Sequence, residues 1–159
     1  MPNQLACVDI NGNMQNEHKP SSELKMHLNI YRQRNDVKAI VHAHPVFATA
    51  YAVCGKPLDK KYITEAVVSL GEVPVTQFAL PSSQDLADSC NPYIQDYQAL
   101  LLANHGALTW DRTLEAALFK LETIEQLAKI SFLAEAMHAK ELTLQQVNKL
   151  IALRAVYDL

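Results

Sequence analysis

The sequence contains no long uninterrupted apolar run, no basic segment at its amino terminus and no cluster of lysine or arginine residues. A membrane-spanning helix needs about 20 consecutive apolar residues, and a secretory signal needs a basic segment followed by an apolar one. We therefore predict neither, and we expect a cytoplasmic protein. The formal net charge of −3 likewise gives no electrostatic basis for binding nucleic acid or an anionic membrane.

Cysteine is scarce, and the three residues Cys7, Cys54 and Cys90 are far apart with no C-x-x-C pair. This pattern argues against a disulfide framework and for reduced thiols. Free cysteine is among the most buried residue types, so we expect each to be a small buried apolar residue. The sequence also lacks repeats, low-complexity tracts and linkers, and its 159 residues predict one domain over residues 1–159.

Strand and helix patterns alternate along the chain. Strands are expected in LACVDING, in VKAIVHAH, around residues 73–78, and on both sides of NHG in QALLLANHGALTW. Helices are expected in SSELKMHLNIYRQR, VFATAYAV, QDLADSC, from Leu114 to about His138, and in TLQQVNKLIALR. Expected helix starts are Ser21 or Ser22, Asp111 or Thr113, and a capping box of Thr143 with Gln146. This interleaving predicts an α/β or α+β fold with helices covering a sheet.

The stretch AIVHAHPVFATA, residues 39–50, places two histidines one residue apart at the end of a small apolar run. Alternate side chains leave a strand on the same face, so His42 and His44 should point together while Ala43 points away. A single histidine in an apolar strand is more often a hydrogen-bonded core residue than a ligand. Burying two imidazoles together without a partner is costly, so the pair favours a metal site.

A catalytic zinc site typically has three protein ligands and one open position, so a third ligand must come from elsewhere. His105 is the best candidate, because it lies in NHG at a strand break where Gly106 lets the backbone turn tightly. Asn104 could orient a ligand or the loop. The other histidines are not expected to bind metal. His18 is expected to lie in a polar loop, His27 to pack within a helix interface, and His138 to lie at an exposed helix end.

The stretch KPSSE, residues 19–23, is a second candidate site. Hydroxyls and free N–H groups at a helix N-terminus can hold an anion, so Ser21 and Ser22 could bind a phosphate, although plain N-capping is the commoner role. Glu23 could act as a general base, or as an oxygen ligand that fills the open position of a three-histidine site.

Taken in order, KPSSELKMHLNIYRQRNDVKAIVHAHPVFATA, then LLLANHGALTW and a long amphipathic helix, the chain resembles the class II aldolase/adducin family. It is most similar to the zinc-dependent L-fuculose-phosphate aldolase branch. The resemblance implies a three-layer αβα domain with a central, largely antiparallel sheet covered by helices. It also implies that Zn²⁺ or another divalent metal is bound by His42, His44 and His105. Glu23 would then be the catalytic acid/base residue, and Ser21 and Ser22 would bind the substrate phosphate.

The implied reaction is reversible cleavage of a ketose 1-phosphate, such as L-fuculose 1-phosphate, to dihydroxyacetone phosphate and an aldehyde through a zinc-stabilised enediolate. The related ribulose-phosphate 4-epimerases have Asp where this chain has Glu23, which favours carbon–carbon cleavage. Epimerase, dehydratase and decarboxylase chemistry of the same family stay open as alternatives. The resemblance further implies a homotetramer with sites at subunit boundaries.

Two departures from the family pattern bear on this expectation. Family members begin with a helix and early strands that carry T-x-G-N-like and T-P-x-G-like stretches of the phosphate pocket, and neither is present. We therefore expect a chain shortened at its amino terminus, which leaves a non-catalytic oligomeric module as an alternative. The aldolases also use a tyrosine from a neighbouring subunit, and Tyr62 falls nearby without aligning cleanly. A metal-dependent hydrolase is a weaker reading, because PVF lacks the Asp-His that such a motif needs.

Overall fold

The computed structural model describes residues 5–157, with side chains through residue 153. Three strands and six helices follow one another within this range, and the helices outnumber the strands they cover. In chain order they are α1 (Leu24–Gln33), β1 (Ala39–Ala43), α2 (Val46–Val53), α3 (Thr64–Ser69), α4 (Gln84–Ser89), β2 (Ala99–Leu102), β3 (Gly106–Asp111), α5 (Leu114–Ala136) and α6 (Leu144–Tyr157).

The three strands form one antiparallel sheet in the order β1-β3-β2. β2 and β3 are joined by a hairpin, and the central strand β3 pairs with β1 so that Ala43 lies opposite Ala107. All four residues of β2, ALLL, are buried. Such a continuous apolar run is typical of a strand that is covered on both faces.

Two apolar clusters flank the sheet, and each takes alternate residues of the strands. Leu101 and Ala107 face a cluster built by α2, α3 and α5, whereas Leu100 and Leu108 face a second cluster built by α1 and α4. The protein is therefore a three-layer αβα structure, and the predicted fold class is confirmed.

Two predicted strands do not form. In residues 5–12 a single bridge joins Val8 to Met14, and the Asp9 carboxylate instead accepts the amides of Asn11 and Asn13 at 2.9 Å each, which favours a turn. Residues 73–78 contribute only isolated bridges, with one from Val75 to Leu101. Pro74 lacks the N–H that a regular ladder needs.

The helix starts follow the expected capping chemistry at two of three places. The Thr113 hydroxyl accepts from the Ala116 amide at 3.1 Å, and Thr143 and Gln146 form the predicted reciprocal capping box. The prediction for α1 is wrong, because the helix begins at Leu24 with Glu23 as its N-cap residue rather than a serine. The Ser21 hydroxyl instead accepts from the Glu23 amide at 3.2 Å, which tightens the turn ahead of the helix.

The cysteine prediction holds for one residue of three. Cys90 is fully buried, and burial raises the pKa of its thiol to about 11. Cys7 and Cys54 are exposed, contrary to expectation, because one lies in the turn-rich front segment and the other at the end of α2. All three are free thiols.

Among the described helices, none combines the length and the apolar character that a membrane crossing requires.

A substitution at Thr109 tests the hydrogen bond that joins β3 of the sheet to α5. Its buried hydroxyl donates to the Ala117 carbonyl at 2.8 Å. We expect Thr109→Val to destabilise the fold by about 1–2 kcal/mol, because it removes a hydrogen bond from the interior. Thr123→Val is the matched control, since Thr123 donates to Phe119 at 2.8 Å on an exposed part of the same helix; about 0.5 kcal/mol or less is expected. Equal losses in urea denaturation would contradict the assignment.

Candidate metal centre

His42 lies within β1, opposite Leu108 of β3. Its Nδ1 lies 2.9 Å from the Ala107 carbonyl oxygen, which can only accept a hydrogen bond, so this nitrogen carries the proton. The lone pair is thereby left on Nε2, which is buried and has no hydrogen-bond partner. A backbone carbonyl that fixes the tautomer in this way is the usual support of a metal-binding histidine.

His44 lies one residue beyond the last paired residue of β1, on the same side of the chain as His42. Gly106 leaves room for the His44 ring because it has no side chain. A Cβ atom built on Gly106 would lie 2.5 Å from His44 Cδ2 and 2.6 Å from the Ala43 carbonyl oxygen. Only glycine fits this close approach. The predicted reason for Gly106 is therefore wrong, because the left-handed residue of the turn is Asn104, with φ 57°.

His105 comes from the three-residue loop that joins β2 to β3. The His105 amide donates to the Leu102 carbonyl at 3.0 Å, and the Asn104 amide donates to the Ala52 carbonyl at 3.3 Å, which ties the loop to α2. Because β3 starts directly after His105, the hairpin carries this side chain to the same end of the sheet as His42 and His44. Asn104 thus has a backbone role, and its predicted side-chain role stays a prediction.

The three imidazoles converge. Their ring centroids are 4.8–5.0 Å apart, and one ring nitrogen from each lies within 4.8 Å of the other two. His42 and His105 are half-buried and His44 is exposed, so the cluster opens to solvent on one side. The three residues predicted from the sequence to meet do meet, although His105 is far from the other two in the chain.

Glu23 stands at the start of α1, on the face of the sheet toward which His42 points. Ile40, two residues before His42 on β1, packs in the same cluster as Met26 and Ile30 of α1. The Glu23 carboxylate is near enough to favour the charged forms of both His42 and His105. Its Oε2 is buried without a hydrogen-bond partner. The Glu23 carboxylate is therefore within electrostatic reach of two histidines of the cluster, and its catalytic role stays a prediction.

Burial lowers the pKa of two of the three rings. Desolvation lowers the pKa of His42, an effect that the Ala107 carbonyl partly opposes and that the neighbouring His105 and His44 reinforce. Desolvation is also the main cause that lowers the pKa of His105, against an opposing effect of Glu23. Both rings are thus held neutral, which is the state that binds a metal.

Three buried polar atoms in this region have no partner: His42 Nε2, His105 Nδ1 and Glu23 Oε2. Leaving two ring nitrogens unpartnered in one cluster is costly, and a divalent cation held by the histidines would give them a partner. A set of three imidazoles suits Zn²⁺ and other transition metals. The residues present therefore fit the group that the sequence led us to expect.

The predicted phosphate serines are both exposed. The Ser21 hydroxyl is occupied by the Glu23 amide, so in this structure it helps to place Glu23. A residue that sequence reasoning missed is Ser82, whose hydroxyl donates to Glu23 Oε1 at 3.4 Å from a backbone with φ 66°. A strained non-glycine residue beside a candidate site is a common feature of functional loops. The sequence signal that could have identified Ser82 is the serine pair in PSS, residues 81–83.

Residues 1–132 match the family described as Class II Aldolase and Adducin N-terminal domain. Two curated relatives share about a third of their residues with this chain. A 3-oxo-tetronate 4-phosphate decarboxylase from Pectobacterium atrosepticum is 33% identical, over 92% of this chain and 69% of the relative. An L-fuculose phosphate aldolase from Methanococcus vannielii is 36% identical, over 80% of this chain and 68% of the relative.

The fold is shared with solved structures. An L-fuculose 1-phosphate aldolase superimposes with a TM-score of 0.83 at 35% identity, covering 91% of this chain and 69% of that one. The L-fuculose-1-phosphate aldolase from Thermus thermophilus gives a TM-score of 0.75 at 25% identity, covering 91% of this chain and 75% of that one.

Gly106 offers a test of the geometry alone. We expect Gly106→Ala to destabilise the fold by about 3 kcal/mol, because the added Cβ overlaps a backbone oxygen that cannot move freely. Gly55→Ala is the control: Gly55 has φ 63° but open space around it, so only backbone strain of about 1 kcal/mol is expected. Guanidinium denaturation measures both. A smaller loss at Gly106 than at Gly55 would show that the close approach to Ala43 and His44 is absent.

Proposed function

The chain belongs to the class II aldolase and adducin family, and we propose that it is a metal-dependent aldolase that reversibly cleaves a ketose 1-phosphate. The observation that carries the proposal is the convergence of three histidine nitrogens within 4.8 Å, beside an unpartnered carboxylate oxygen. The substrate proposed is L-fuculose 1-phosphate or a close analogue, since relatives of this name share the fold and about a third of the sequence.

In this proposal His42, His44 and His105 hold the metal, with zinc as the expected ion. When bound, the ion would polarise the keto and hydroxyl oxygens of the substrate and stabilise the negative charge that develops on them. Imidazole ligands bind a metal in their uncharged form and leave the charge of the ion uncompensated, which favours an anionic substrate. The Ala107 carbonyl keeps His42 in the required tautomer.

The chemistry assigned to Glu23 is proton transfer at carbon. In the cleavage direction the bond between C3 and C4 of the ketose breaks, and the C4 hydroxyl releases its proton to solvent as C4 becomes the aldehyde carbonyl. The bonding electrons stay with C3, which takes up a proton and becomes the hydroxymethyl carbon of dihydroxyacetone phosphate. Glu23 gives this proton and removes it in the reverse direction. Its placement by Ser21 and Ser82 supports the assignment.

Ser21 and Ser22 are proposed to bind the substrate phosphate. Both are exposed just ahead of α1, where the helix dipole favours an anion. Ser22 is the better placed of the two, because the Ser21 hydroxyl already accepts from the Glu23 amide. A homotetrameric assembly belongs to the same proposal and rests on the family resemblance alone.

Decarboxylation is the second candidate. Relatives named 3-oxo-tetronate 4-phosphate decarboxylase match this chain as well as the aldolases do, over 92% of its length in one case. Both reactions break a carbon–carbon bond and leave the electrons on a carbon next to a ketone, so one site could serve either. The departing group differs: an aldehyde for the aldolase, carbon dioxide for the decarboxylase.

Metal binding is tested first. We expect the wild-type protein to bind one Zn²⁺, and His105→Ala to weaken the affinity by more than about 100-fold, because one of three protein ligands is lost. His138→Ala, at the exposed end of α5, should change it by less than about twofold. Competition with a chromophoric chelator measures all three proteins. Unchanged affinity in His105→Ala would remove it from the ligand set.

The role of Glu23 is tested by hydrogen exchange. We expect the zinc-loaded protein in D₂O to exchange one hydroxymethyl hydrogen of dihydroxyacetone phosphate, and Glu23→Gln to slow this by about 10²–10⁴-fold. Glu122→Gln, on an exposed part of α5, is the matched control and should exchange normally. Proton NMR follows the exchange.

Product analysis then separates the candidates. Aldehyde release from L-fuculose 1-phosphate supports the aldolase, and carbon dioxide release from 3-oxo-tetronate 4-phosphate supports the decarboxylase. Absence of exchange and of both turnovers in a zinc-loaded preparation would overturn the catalytic proposal and favour a non-catalytic module.

A further inference from the structure

α2 begins directly after the histidine pair, and its first turn has no local cap. Pro45, the N-cap residue, has no side-chain acceptor, so the first amides of the helix need acceptors from elsewhere. Buried helix ends without such partners are rare. The structure supplies the partner from a distant part of the chain.

That partner is Glu125, near the middle of α5. Its two carboxylate oxygens separately accept the Phe47 amide at 3.0 Å and the Ala48 amide at 2.9 Å. A carboxylate that takes two amides at a helix N-terminus forms charge-assisted hydrogen bonds and also interacts favourably with the helix dipole. This contact joins positions 78 and 77 residues apart in sequence.

Glu125 is itself held on a fixed element. Its neighbours Ile124, Leu127 and Ala128 are buried in the cluster between α2, α5 and the sheet. The rings of Phe47 and Phe132 are also in contact, with centroids 6.1 Å apart, which adds a second contact between the start of α2 and α5. The start of α2 is therefore positioned relative to the sheet through α5.

His44 depends on this contact more than His42 does. His42 is paired within β1 and hydrogen-bonded to the Ala107 carbonyl, whereas His44 lies beyond the last paired residue. Between His44 and the clamped Phe47 amide stand only Pro45 and Val46, and Pro45 has a fixed φ of −64°. A rigid two-residue connection transmits the position of the helix start to His44.

We propose that Glu125 is a positioning residue for the metal centre, which fixes His44 by clamping the first turn of α2. The inference rests on the proposed metal site but concerns a residue outside the ligand set. The carboxylate acts through the backbone at Phe47 and Ala48, so its loss should affect metal affinity more than overall stability.

The test compares Zn²⁺ affinity and thermal unfolding of the metal-free protein across matched variants. We expect Glu125→Ala to weaken Zn²⁺ binding by about 10-fold or more, the range typical of residues that orient ligands. Glu125→Gln, which keeps one acceptor oxygen, should lose less affinity and serves as the folding-competent variant. Thr113→Ala removes the cap of α5 at a remote position, and Glu122→Ala removes a carboxylate one turn away on the same helix.

Weakened binding in both Glu125 variants supports the role, provided that Glu122→Ala keeps wild-type affinity and that Thr113→Ala keeps it at a similar or larger loss of melting temperature. Wild-type affinity in Glu125→Ala would overturn the role of Glu125 alone and leave the metal site in place. Absence of saturable Zn²⁺ binding by the wild-type protein would overturn the metal site, and the positioning role with it.

Discussion

The register between β1 and β3 is the constraint on which the rest of the site depends. Ala43 pairs with Ala107, so the residue after Ala43 and the residue before Ala107 come into direct contact, and these are His44 and Gly106. A slip of one residue would turn His42 to the opposite face of the sheet and remove it from the cluster. Ile40 and Leu108 fill one cluster while Val41 and Ala107 pack in the other, which fixes this register.

Two glutamate carboxylates lie at helix starts, one at the start of α1 and one against the start of α2. Glu23 stands at the start of α1, and one oxygen of its carboxylate has no hydrogen-bond partner. Glu125 lies within α5 and has both oxygens engaged by the start of α2. Glu23 thus keeps one oxygen without a hydrogen-bond partner, whereas Glu125 uses both oxygens to hold the backbone at the start of α2.

Local patterns were enough to predict five of the six described helices, the three paired strands and the three converging histidines, but not the position of α3. The alternation in VHAH placed two imidazoles on one face, and NHG marked the loop that carries the third. Patterns within a single segment could not reveal contacts made across the fold. Glu125 looks like any polar residue of an amphipathic helix, and Ser82 lies 59 positions from the Glu23 carboxylate that it contacts. Leu114 and Leu118 fit the apolar face of α5 by spacing, yet they are 61% and 46% exposed.

The central claim is that three imidazoles, two from the end of β1 and one from the β2–β3 loop, bind one divalent ion. X-ray absorption spectroscopy of the protein loaded with one equivalent of Zn²⁺ tests this most directly, because it counts the ligands and measures their distances. The account predicts three imidazole nitrogens at about 2.0–2.1 Å, with one or more oxygen ligands. A spectrum dominated by oxygen, or one that shows fewer than two imidazoles, would contradict it.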